Sequence, residues 1–372
     1  MPRRSRLFAL SALTRAYQRN LKAFAKATRA ARTVGVKAKV PALRKAPPEA
    51  AATRGAARRL GRPAPASGEW LAGVAPGPAG ARRYQLYIPP ALALRAGEKL
   101  PLLVMLHGCG QTGRDLAAAT RMNRLAARER FLVLYPEQER VANAHGCWNW
   151  FERRNGKAEA EAATLLAAVD KVARRHPVDL GRVAVAGLSA GGSMAVLMAA
   201  LYPQRFCAVA MHSGVAPGTA ESAATALAAM HGRRAGHLPD PLPATPRLRE
   251  AAALAAGPDT TDASAPLPPL LVLHGDADHV VSVRNGADTA LLWAQALGAR
   301  AGAVRTLQRG QRHATRVTEF KARGRTVVVL REVVGLAHAW SGGMAKLPYS
   351  DPAGPDASAL VWAFVARQFA KK

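Results

Sequence analysis

One serine in this 372-residue chain stands where a strand is predicted to turn sharply into a helix. Residues 187–191 read Gly-Leu-Ser-Ala-Gly; they follow the apolar run 182–186 and precede 192–201, which is rich in Ala, Met and Leu. The two glycines allow the strained turn that holds a serine hydroxyl above the end of a strand. This context predicts Ser189 as a nucleophile, and a structural turn is the alternative.

A serine hydroxyl needs a base that takes its proton and a carboxylate that orients the base. His338 follows the last predicted strand in a loop, and no other of the ten histidines does, so it is the predicted base. The alternative is a histidine that is hydrogen-bonded in a surface loop. Asp276 and Asp278 both follow the apolar run 270–274, and composition does not separate two acids two residues apart.

The oxyanion formed during ester or amide cleavage requires two preorganised hydrogen-bond donors. The backbone N–H of Ala190, next after the serine, is predicted to be one. The other is predicted in the loop after 102–106, with the N–H of Cys109 preferred. A nucleophilic role for the Cys109 side chain is disfavoured, because no histidine is placed to activate it.

Three of the six tryptophans neighbour the predicted site loops, and they are predicted to form a substrate wall, with core packing as the alternative: Trp148, Trp150 and Trp340. No metal site is predicted, since the spacing of the nearby histidines and cysteines matches no common ligand pattern. No glycine-rich loop that could cradle a phosphate follows the first strands, and no cofactor is expected.

Alternating strands and helices are predicted to position these residues. The predicted strands are 83–87, 100–106, 131–135, 182–186, 207–212, 270–274 and 326–334, and the predicted helices are 121–130, 159–175, 192–201, 284–297 and 356–369. Such alternation is typical of an α/β fold with a mostly parallel central sheet and helices on both faces. The catalytic domain is predicted to span 81–372, with 217–266 as an insertion over the site that could act as a lid.

Residues 1–80 are predicted to be an appendage, a basic amphipathic helix followed by a linker rich in Pro, Ala, Gly and Arg. Residues 7–30 carry apolar side chains on one helical face and basic side chains on the other. Three roles remain open for this helix: packing on the enzyme body, binding an anionic granule or membrane surface, or targeting. It is not a convincing secretory signal, because Arg15 interrupts the apolar run.

The formal charge of +29 is extreme for a soluble enzyme. Much of it is local, because 3–62 hold seventeen Lys and Arg residues against Glu49 alone. The rest of the chain is also rich in arginine, so a high pI is poor evidence for nucleic-acid binding, and no nucleic-acid partner is expected. No window reaches the ~18 consecutive apolar residues of a membrane-spanning helix.

Six motifs occur in order along the chain: Leu-His-Gly-Cys-Gly-Gln at 106–111, Tyr-Pro-Glu-Gln at 135–138, Asn143 with Cys-Trp-Asn-Trp at 147–150, Gly-Leu-Ser-Ala-Gly at 187–191, His-Ser-Gly at 212–214 and His-Ala-Trp-Ser-Gly-Gly at 338–343. As a set they resemble the poly(3-hydroxybutyrate) depolymerase family of esterases, which is similar to feruloyl and acetyl-xylan esterases. The resemblance covers about residues 83–369.

The resemblance implies an α/β-hydrolase fold with Ser189 as nucleophile and His338 as base. It favours Asp278 over Asp276 as the acid, from the pattern His-Gly-x-x-Asp-x-x-Val at 274–281. It also implies that the Cys109 loop contributes to the oxyanion hole and that Cys109 pairs with Cys147 in a disulfide.

The expected activity is therefore hydrolysis of carboxylic esters through an acyl-enzyme, on poly(3-hydroxybutyrate) or its oligomers. A feruloyl or acetyl-xylan esterase is the first alternative, and a granule- or surface-binding protein with a non-catalytic hydrolase domain is the second. The resemblance and the disulfide suggest an extracellular or periplasmic protein, whereas the lack of a clear signal peptide suggests a cytoplasmic one. The sequence indicates no oligomeric state.

Overall fold

A computed structural model describes residues 68–90, 94–239 and 266–369. The strands are β1 (Glu69–Ala75), β2 (Arg82–Ile88), β3 (Leu100–Leu106), β4 (Leu132–Pro136), β5 (Val178–Leu188), β6 (Ala208–His212), β7 (Leu270–Gly275), β8 (Arg300–Ala301), β9 (Arg305–Leu307), β10 (Thr315–Ala322), β11 (Arg325–Val333), β12 (Trp340–Ser341) and β13 (Ser350–Asp351). The helices are α1 (Gly113–Thr120), α2 (Met122–Glu129), α3 (Lys157–Arg175), α4 (Ala190–Leu201), α5 (Ala223–Met230), α6 (Arg284–Ala296) and α7 (Ala357–Phe369), with a 3-10 turn at Pro203–Arg205.

Eleven strands form one sheet in the order β1-β2-β4-β3-β5-β6-β7-β11-β10-β8, with β9 also paired to β10. The central strands β4, β3, β5, β6, β7 and β11 are parallel. The sheet becomes antiparallel at both ends, at β1 and β2 and at β10 with β8 and β9. The predicted mostly parallel α/β sheet is thus confirmed.

The continuous apolar runs of the sequence become strands that are covered on both faces. Every residue of β3, β4, β6 and β7 is buried, as expected for the interior of a parallel sheet. Helices α3, α4 and α6 pack on one face, and α1, α2 and α7 pack on the other. Because the central strands are parallel, their carboxyl ends meet at one edge, here called the carboxyl edge, where ligands bind in open α/β sheets.

The linker predicted to run to residue 80 ends earlier than expected, because the central sheet includes residues 69–75. Residues 69–75, assigned to the linker, form β1 and pair along their full length with β2. Gly73 shows why the strand is hard to recognise, since a Cβ there would overlap with the ring of Tyr84 across the ladder. The strand therefore carries a glycine where a strand pattern would have a β-branched or aromatic residue. The predicted helix at 7–30 lies outside the described residues.

Strands β8, β9 and β10 and helix α1 also have no counterpart among the predicted elements. All three residues of β9 and both residues of β8 are exposed, so their sequences carry no apolar alternation. Part of the predicted insertion is described: α5 lies within it and packs with Phe151 and Val281. Residues 240–265 lie outside the described residues, and a lid role for 217–266 stays a prediction. In the described ranges, no helix is both long and apolar enough to cross a membrane.

Candidate active site

Ser189 occupies a strained turn at the carboxyl end of β5. Its φ is 58° and its ψ −123°, a conformation that a residue with a Cβ rarely adopts. The turn is tight because Gly187 and Gly191 touch backbone: a Cβ on Gly191 would overlap with the carbonyl oxygen of Leu106. The N–H of Ser189 donates to the carbonyl oxygen of His212 at 2.9 Å, which fixes the turn to the next strand.

Asp278 and His338 meet across the loops that follow β7 and β11. His338 Nδ1 lies 2.7 Å from Asp278 Oδ2, and both residues are buried. The other carboxylate oxygen accepts hydrogen bonds from the N–H groups of Val280, at 2.9 Å, and Val281, at 2.8 Å. Asp278 is thus held on both oxygens in a geometry suited to orienting an imidazole.

The carboxylate of Asp276 binds other partners. Its Oδ1 accepts the N–H of Gly335 at 2.7 Å, and its Oδ2 accepts Nη2 of Arg316 at 3.3 Å. The structure therefore brings Asp278, and not Asp276, to His338, while Asp276 ties the loop after β7 to the end of β11.

Burial acts to raise the pKa of Asp278, but hydrogen bonds from His274 and His338 outweigh it and hold that pKa well below the usual range. His274 is fully buried, and its Nε2 lies 2.9 Å from the carbonyl oxygen of Val281 and 3.4 Å from Asp278 Oδ2. Asp278 is therefore a carboxylate at neutral pH, as the partner of a catalytic histidine must be.

The sheet order brings Ser189 to the same edge as this pair. Strands β5, β6, β7 and β11 are neighbours, and Ser189, Asp278 and His338 follow β5, β7 and β11 at their carboxyl ends. The loops are also bonded to one another, since Ser213 N donates to Leu273 O at 2.9 Å and Ala277 N donates to Leu336 O at 3.2 Å. Neighbouring strands lie about 4.8 Å apart, so the three groups share one short stretch of the carboxyl edge.

The loop after β3 reaches Ser189 from the other side. It is a turn in which Gln111 N donates to Gly108 O at 3.2 Å, while Gly108 N donates to Gln111 Oε1 at 2.9 Å. A Cβ on Gly108 would lie 3.5 Å from Ser189 Cβ, so this turn borders the serine. Cys109 is a central residue of the turn, and Ala190 begins α4, where an N–H has no intrahelical acceptor. Both N–H groups are thus suited to an oxyanion.

His107 is hydrogen-bonded to this turn and does not take part in proton transfer. Its Nε2 accepts the N–H of Gln138 at 3.1 Å, so its proton is on Nδ1, which donates to Gly108 O at 2.8 Å. Burial lowers the pKa of His107 to about 4. The ring is therefore neutral at pH 7 and acts as a fixed spacer between β4 and the turn.

A disulfide joins Cys109 to Cys147, 38 residues along the chain. The 147–149 segment is itself anchored by Glu161 of α3, which is fully buried. Glu161 accepts hydrogen bonds from Asn149 N at 2.6 Å, from Gln138 Nε2 at 2.7 Å and from Arg82 Nη2 at 2.7 Å. This carboxylate was not singled out in the sequence, since nothing local to α3 indicates three partners from distant segments.

Two of the three predicted substrate-wall tryptophans are core residues. Trp148 is 0% and Trp340 is 1% exposed, so neither ring offers a surface to a substrate. Each indole N–H instead has an internal acceptor, the carbonyl oxygen of His107 for Trp148 and Ser358 Oγ for Trp340. Trp150 is half-buried, packs edge-on against Phe151 at 5.4 Å between ring centroids, and stays a candidate.

His212 is a site residue whose role was not predicted. Its Nε2 accepts the N–H of Ser341 at 3.1 Å, and its ring stacks on Trp340 at 5.0 Å. Burial, together with the nearby His274 and His338, lowers the pKa of His212 to about 3. The motif His-Ser-Gly at 212–214 was the only signal. Within the described ranges, no group of three or more His, Cys, Asp or Glu side chains could hold a metal ion.

The chain is similar to known esterases and to a depolymerase. The family model described as esterase PHB depolymerase matches residues 82–312. The chain is 32% identical over 190 residues to poly(3-hydroxyalkanoate) depolymerase C of Paucimonas lemoignei, covering 51% of this chain and 43% of the relative. It is 34% identical over 144 residues to feruloyl esterase B of Neurospora crassa, covering 39% of this chain and 48% of the relative.

The matched regions span less than half of each of these two relatives. Among solved structures, an acetyl xylan esterase from Aspergillus awamori superposes with a TM-score of 0.55 at 20% identity, covering 73% of this chain and 94% of that one. That likeness shows the α/β-hydrolase fold. With its family model matching more than half of its length, the chain belongs to the esterase PHB depolymerase family.

Proposed function

We propose that this protein is a serine esterase that cleaves carboxylic esters through Ser189, His338 and Asp278. The observation that carries the proposal is the 2.7 Å contact between His338 Nδ1 and Asp278 Oδ2, on the same sheet edge as the strained serine. A buried carboxylate on Nδ1 keeps Nε2 unprotonated and turned toward a nucleophile, which is the arrangement that activates a serine hydroxyl.

In the first half of the reaction, His338 Nε2 takes the proton of Ser189 as its Oγ attacks the ester carbonyl carbon. The N–H groups of Ala190 and Cys109 stabilise the negative oxygen of the tetrahedral intermediate. Collapse of this intermediate breaks the bond to the alkoxy oxygen, which leaves as an alcohol with the proton from His338. An acyl-enzyme on Ser189 remains.

In the second half, water replaces the alcohol. His338 removes a proton from the water as it attacks the acyl carbon, and the same two N–H groups stabilise the second oxyanion. The proton returns to Ser189 Oγ as the acid leaves. Every bond change is supplied by these side chains and water, so the reaction calls for no metal or cofactor.

The proposed substrate is a polyester of 3-hydroxybutyrate or its oligomers. This choice is supported by the family and by a relative named as a poly(3-hydroxyalkanoate) depolymerase. The feruloyl esterase relative supports a second candidate, an ester of a carbohydrate, with the same triad and a different leaving alcohol.

The experiment measures hydrolysis of 3-hydroxybutyrate oligomers, the polymer, methyl ferulate and acetylated xylan on one preparation. Ser189→Ala should lower turnover of every substrate that the wild type cleaves by several orders of magnitude. Ser282→Ala changes a serine on the same edge outside the triad and should keep activity within a few-fold. A fluorophosphonate probe should label the wild type and not Ser189→Ala. Near-wild-type activity in Ser189→Ala would refute the mechanism, and cleavage of methyl ferulate alone would reassign the substrate.

An extracellular or periplasmic location is proposed on the basis of the disulfide, because the cytosol keeps thiols reduced. Protein from the native host, unfolded and alkylated without reductant, should carry one modified cysteine, Cys207. Three modified cysteines would favour a cytoplasmic enzyme.

A further inference from the structure

Five arginines lie on one face of the sheet, at the antiparallel end that contains β8, β9 and β10. Arg305 of β9 is opposite Val317 of β10, and Val317 is opposite Arg331 of β11. Side chains of residues paired across strands point to the same face, and Val317 packs in the core cluster that includes α7. Arg305 and Arg331 therefore lie on the α7 side. Arg309 and Arg367 lie near enough to Arg331 to act on its pKa. Ala301 is opposite Phe320, which packs in the core cluster of the other face, so the preceding Arg300 points to the α7 side. We call the whole group the arginine face, and it consists of Arg300, Arg305, Arg309, Arg331 and Arg367.

The positive charge of the arginine face is poorly balanced. Its nearby carboxylate, Glu319, accepts Arg305 Nη2 at 2.7 Å and Thr326 Oγ1 at 3.3 Å. None of the described residues forms an ion pair with the other four arginines of the face. Burial lowers the pKa of Arg331, and Arg367, Arg305 and Arg309 lower it further against the opposing effect of Glu319. The cluster is thus one that an external anion would stabilise.

The same surface exposes apolar side chains. Leu307 is two residues after Arg305 in β9, so it points to the same face, and it is 44% exposed. Val304, just before the strand, is 60% exposed. Among the strands of the described ranges, β9 pairs with β10 alone, so it is an edge strand of this sheet. Charged residues on an edge strand hinder its pairing with another sheet, and this is the alternative reason for arginines here. That alternative does not account for exposed aliphatic residues in the same strand and turn.

We propose that the arginine face docks on an anionic phospholipid surface, with Leu307 entering its apolar layer. The arginines come from β8, β9, β11 and α7 and from the turn after β9, so their charges are distributed over several elements. A spread array of guanidinium groups with an aliphatic side chain fits a surface that carries many anionic groups above an apolar interior. The exposed segment 304–310, which includes β9 and the turn after it, has no aromatic side chain on which a nucleic-acid base would stack.

The register also fixes where such a surface would lie relative to the active site. Leu307 is opposite Thr315, and Thr315 is opposite Val333, the last residue of β11 before the loop that carries His338. Because Val333 is at the carboxyl end of β11, all three residues of this row lie at the carboxyl edge. A surface on the arginine face would therefore border the active-site edge.

The test uses the full chain and vesicles of phosphatidylcholine, with or without phosphatidylglycerol. Arg300 and Arg309 are both exposed, and the double variant Arg300→Glu/Arg309→Glu should partition at least about tenfold more weakly onto anionic vesicles. The matched control, Arg140→Glu/Arg175→Glu, makes the same change in net charge at exposed arginines elsewhere and should change partition by less than about threefold. Thermal melts of both double variants check that the fold is intact.

Leu307→Ser should weaken partition by a smaller factor that persists at high salt, because burial of an aliphatic side chain is not screened. The predicted amino-terminal helix could bind the same vesicles, so the comparison is repeated in a background with its basic face neutralised to glutamine: Arg15, Arg19, Lys22, Lys26 and Arg29. Equal partition of the two double variants in both backgrounds would overturn the proposal. Salt-sensitive binding of RNA that is lost in Arg300→Glu/Arg309→Glu, with vesicle binding unchanged, would also overturn it.

Discussion

The two sides of the candidate site are held in different ways. The acid–base side, Asp278 and His338, is held by short hydrogen bonds between neighbouring loops after β7 and β11. The oxyanion side, the Cys109 turn, is held by a disulfide and by a neutral histidine, His107. The acid–base side therefore depends on the negative charge of Asp278. The oxyanion side depends on the disulfide and on the neutral state of His107.

This difference follows from what each side must do. In the proposed mechanism, the base changes protonation in every cycle, so its partner is an ionised carboxylate that stabilises the imidazolium. The oxyanion donors must not move, because preorganised dipoles stabilise charge only when they need no reorganisation. We therefore expect substitutions on the two sides to have different effects on activity and stability, and three variants test this.

The largest effect is expected on the acid–base side. Asp278→Asn should lower kcat/KM for p-nitrophenyl butyrate by about 10⁴-fold, since the amide stabilises the wrong tautomer of His338. Asp276→Asn removes a carboxylate two residues away that binds Gly335 and Arg316, and should cost less than about tenfold. Comparable losses in the two variants would mean that the loop, and not the charge on Asp278, is what matters.

Loss of the disulfide should act on the oxyanion side and on stability. The bond closes a loop of 38 residues, and chain entropy assigns such a crosslink roughly 3–4 kcal/mol of unfolding free energy. Cys109→Ala/Cys147→Ala keeps both backbone N–H groups but frees the turn, so kcat should fall while labelling of Ser189 by a fluorophosphonate persists. Urea unfolding and steady-state kinetics of the same protein measure both effects. Cys207→Ala, outside the disulfide, is the control.

The smallest effect is a pH dependence of stability. His107 has a pKa of about 4 when folded, below the ordinary value of 6.5. Between these two values the unfolded chain binds a proton that the folded chain does not, so unfolding free energy falls as pH drops from 6.5 to 4. The full window corresponds to about 3 kcal/mol from this residue.

His107→Gln should flatten that pH dependence relative to the wild type, whereas the exposed His231→Gln should not. His212 contributes with the same sign and is unchanged in both variants. Asp278, whose pKa is held below its usual range, contributes stability that is lost only at lower pH. Equal slopes for wild type and His107→Gln would contradict the neutral-spacer role of His107.

The sequence predicted the parallel centre of the sheet well and its two ends poorly. Strands β3, β4, β6 and β7 are buried at every residue and appear as largely apolar runs. By contrast, β9 is exposed at every residue and β1 carries Gly73 against Tyr84, so neither shows a strand period. Each is defined by its pairing with the next strand along the chain, β1 with β2 and β9 with β10, and not by an apolar period of its own.

The site residues differ in the same way: some are recognisable from their neighbours in the chain, and others only from remote contacts. Ser189 was recognisable because the glycines that make its turn are its neighbours in the chain. Asp276 and Asp278 were inseparable by composition, because only the loop after β11 distinguishes them. Trp148 and Trp340 were misjudged because a tryptophan beside a site loop looks the same in sequence whether its ring faces a substrate or the core.

The positive φ of Ser189 sets stability and catalysis against each other over evolutionary time. A glycine adopts φ 58° and ψ −123° without the strain that a Cβ suffers there, of order 1–3 kcal/mol. A lineage released from selection for hydrolysis would therefore gain stability, or lose little, by exchanging Ser189 for glycine. In the proposed mechanism, this strain is retained because the reaction needs the hydroxyl of Ser189.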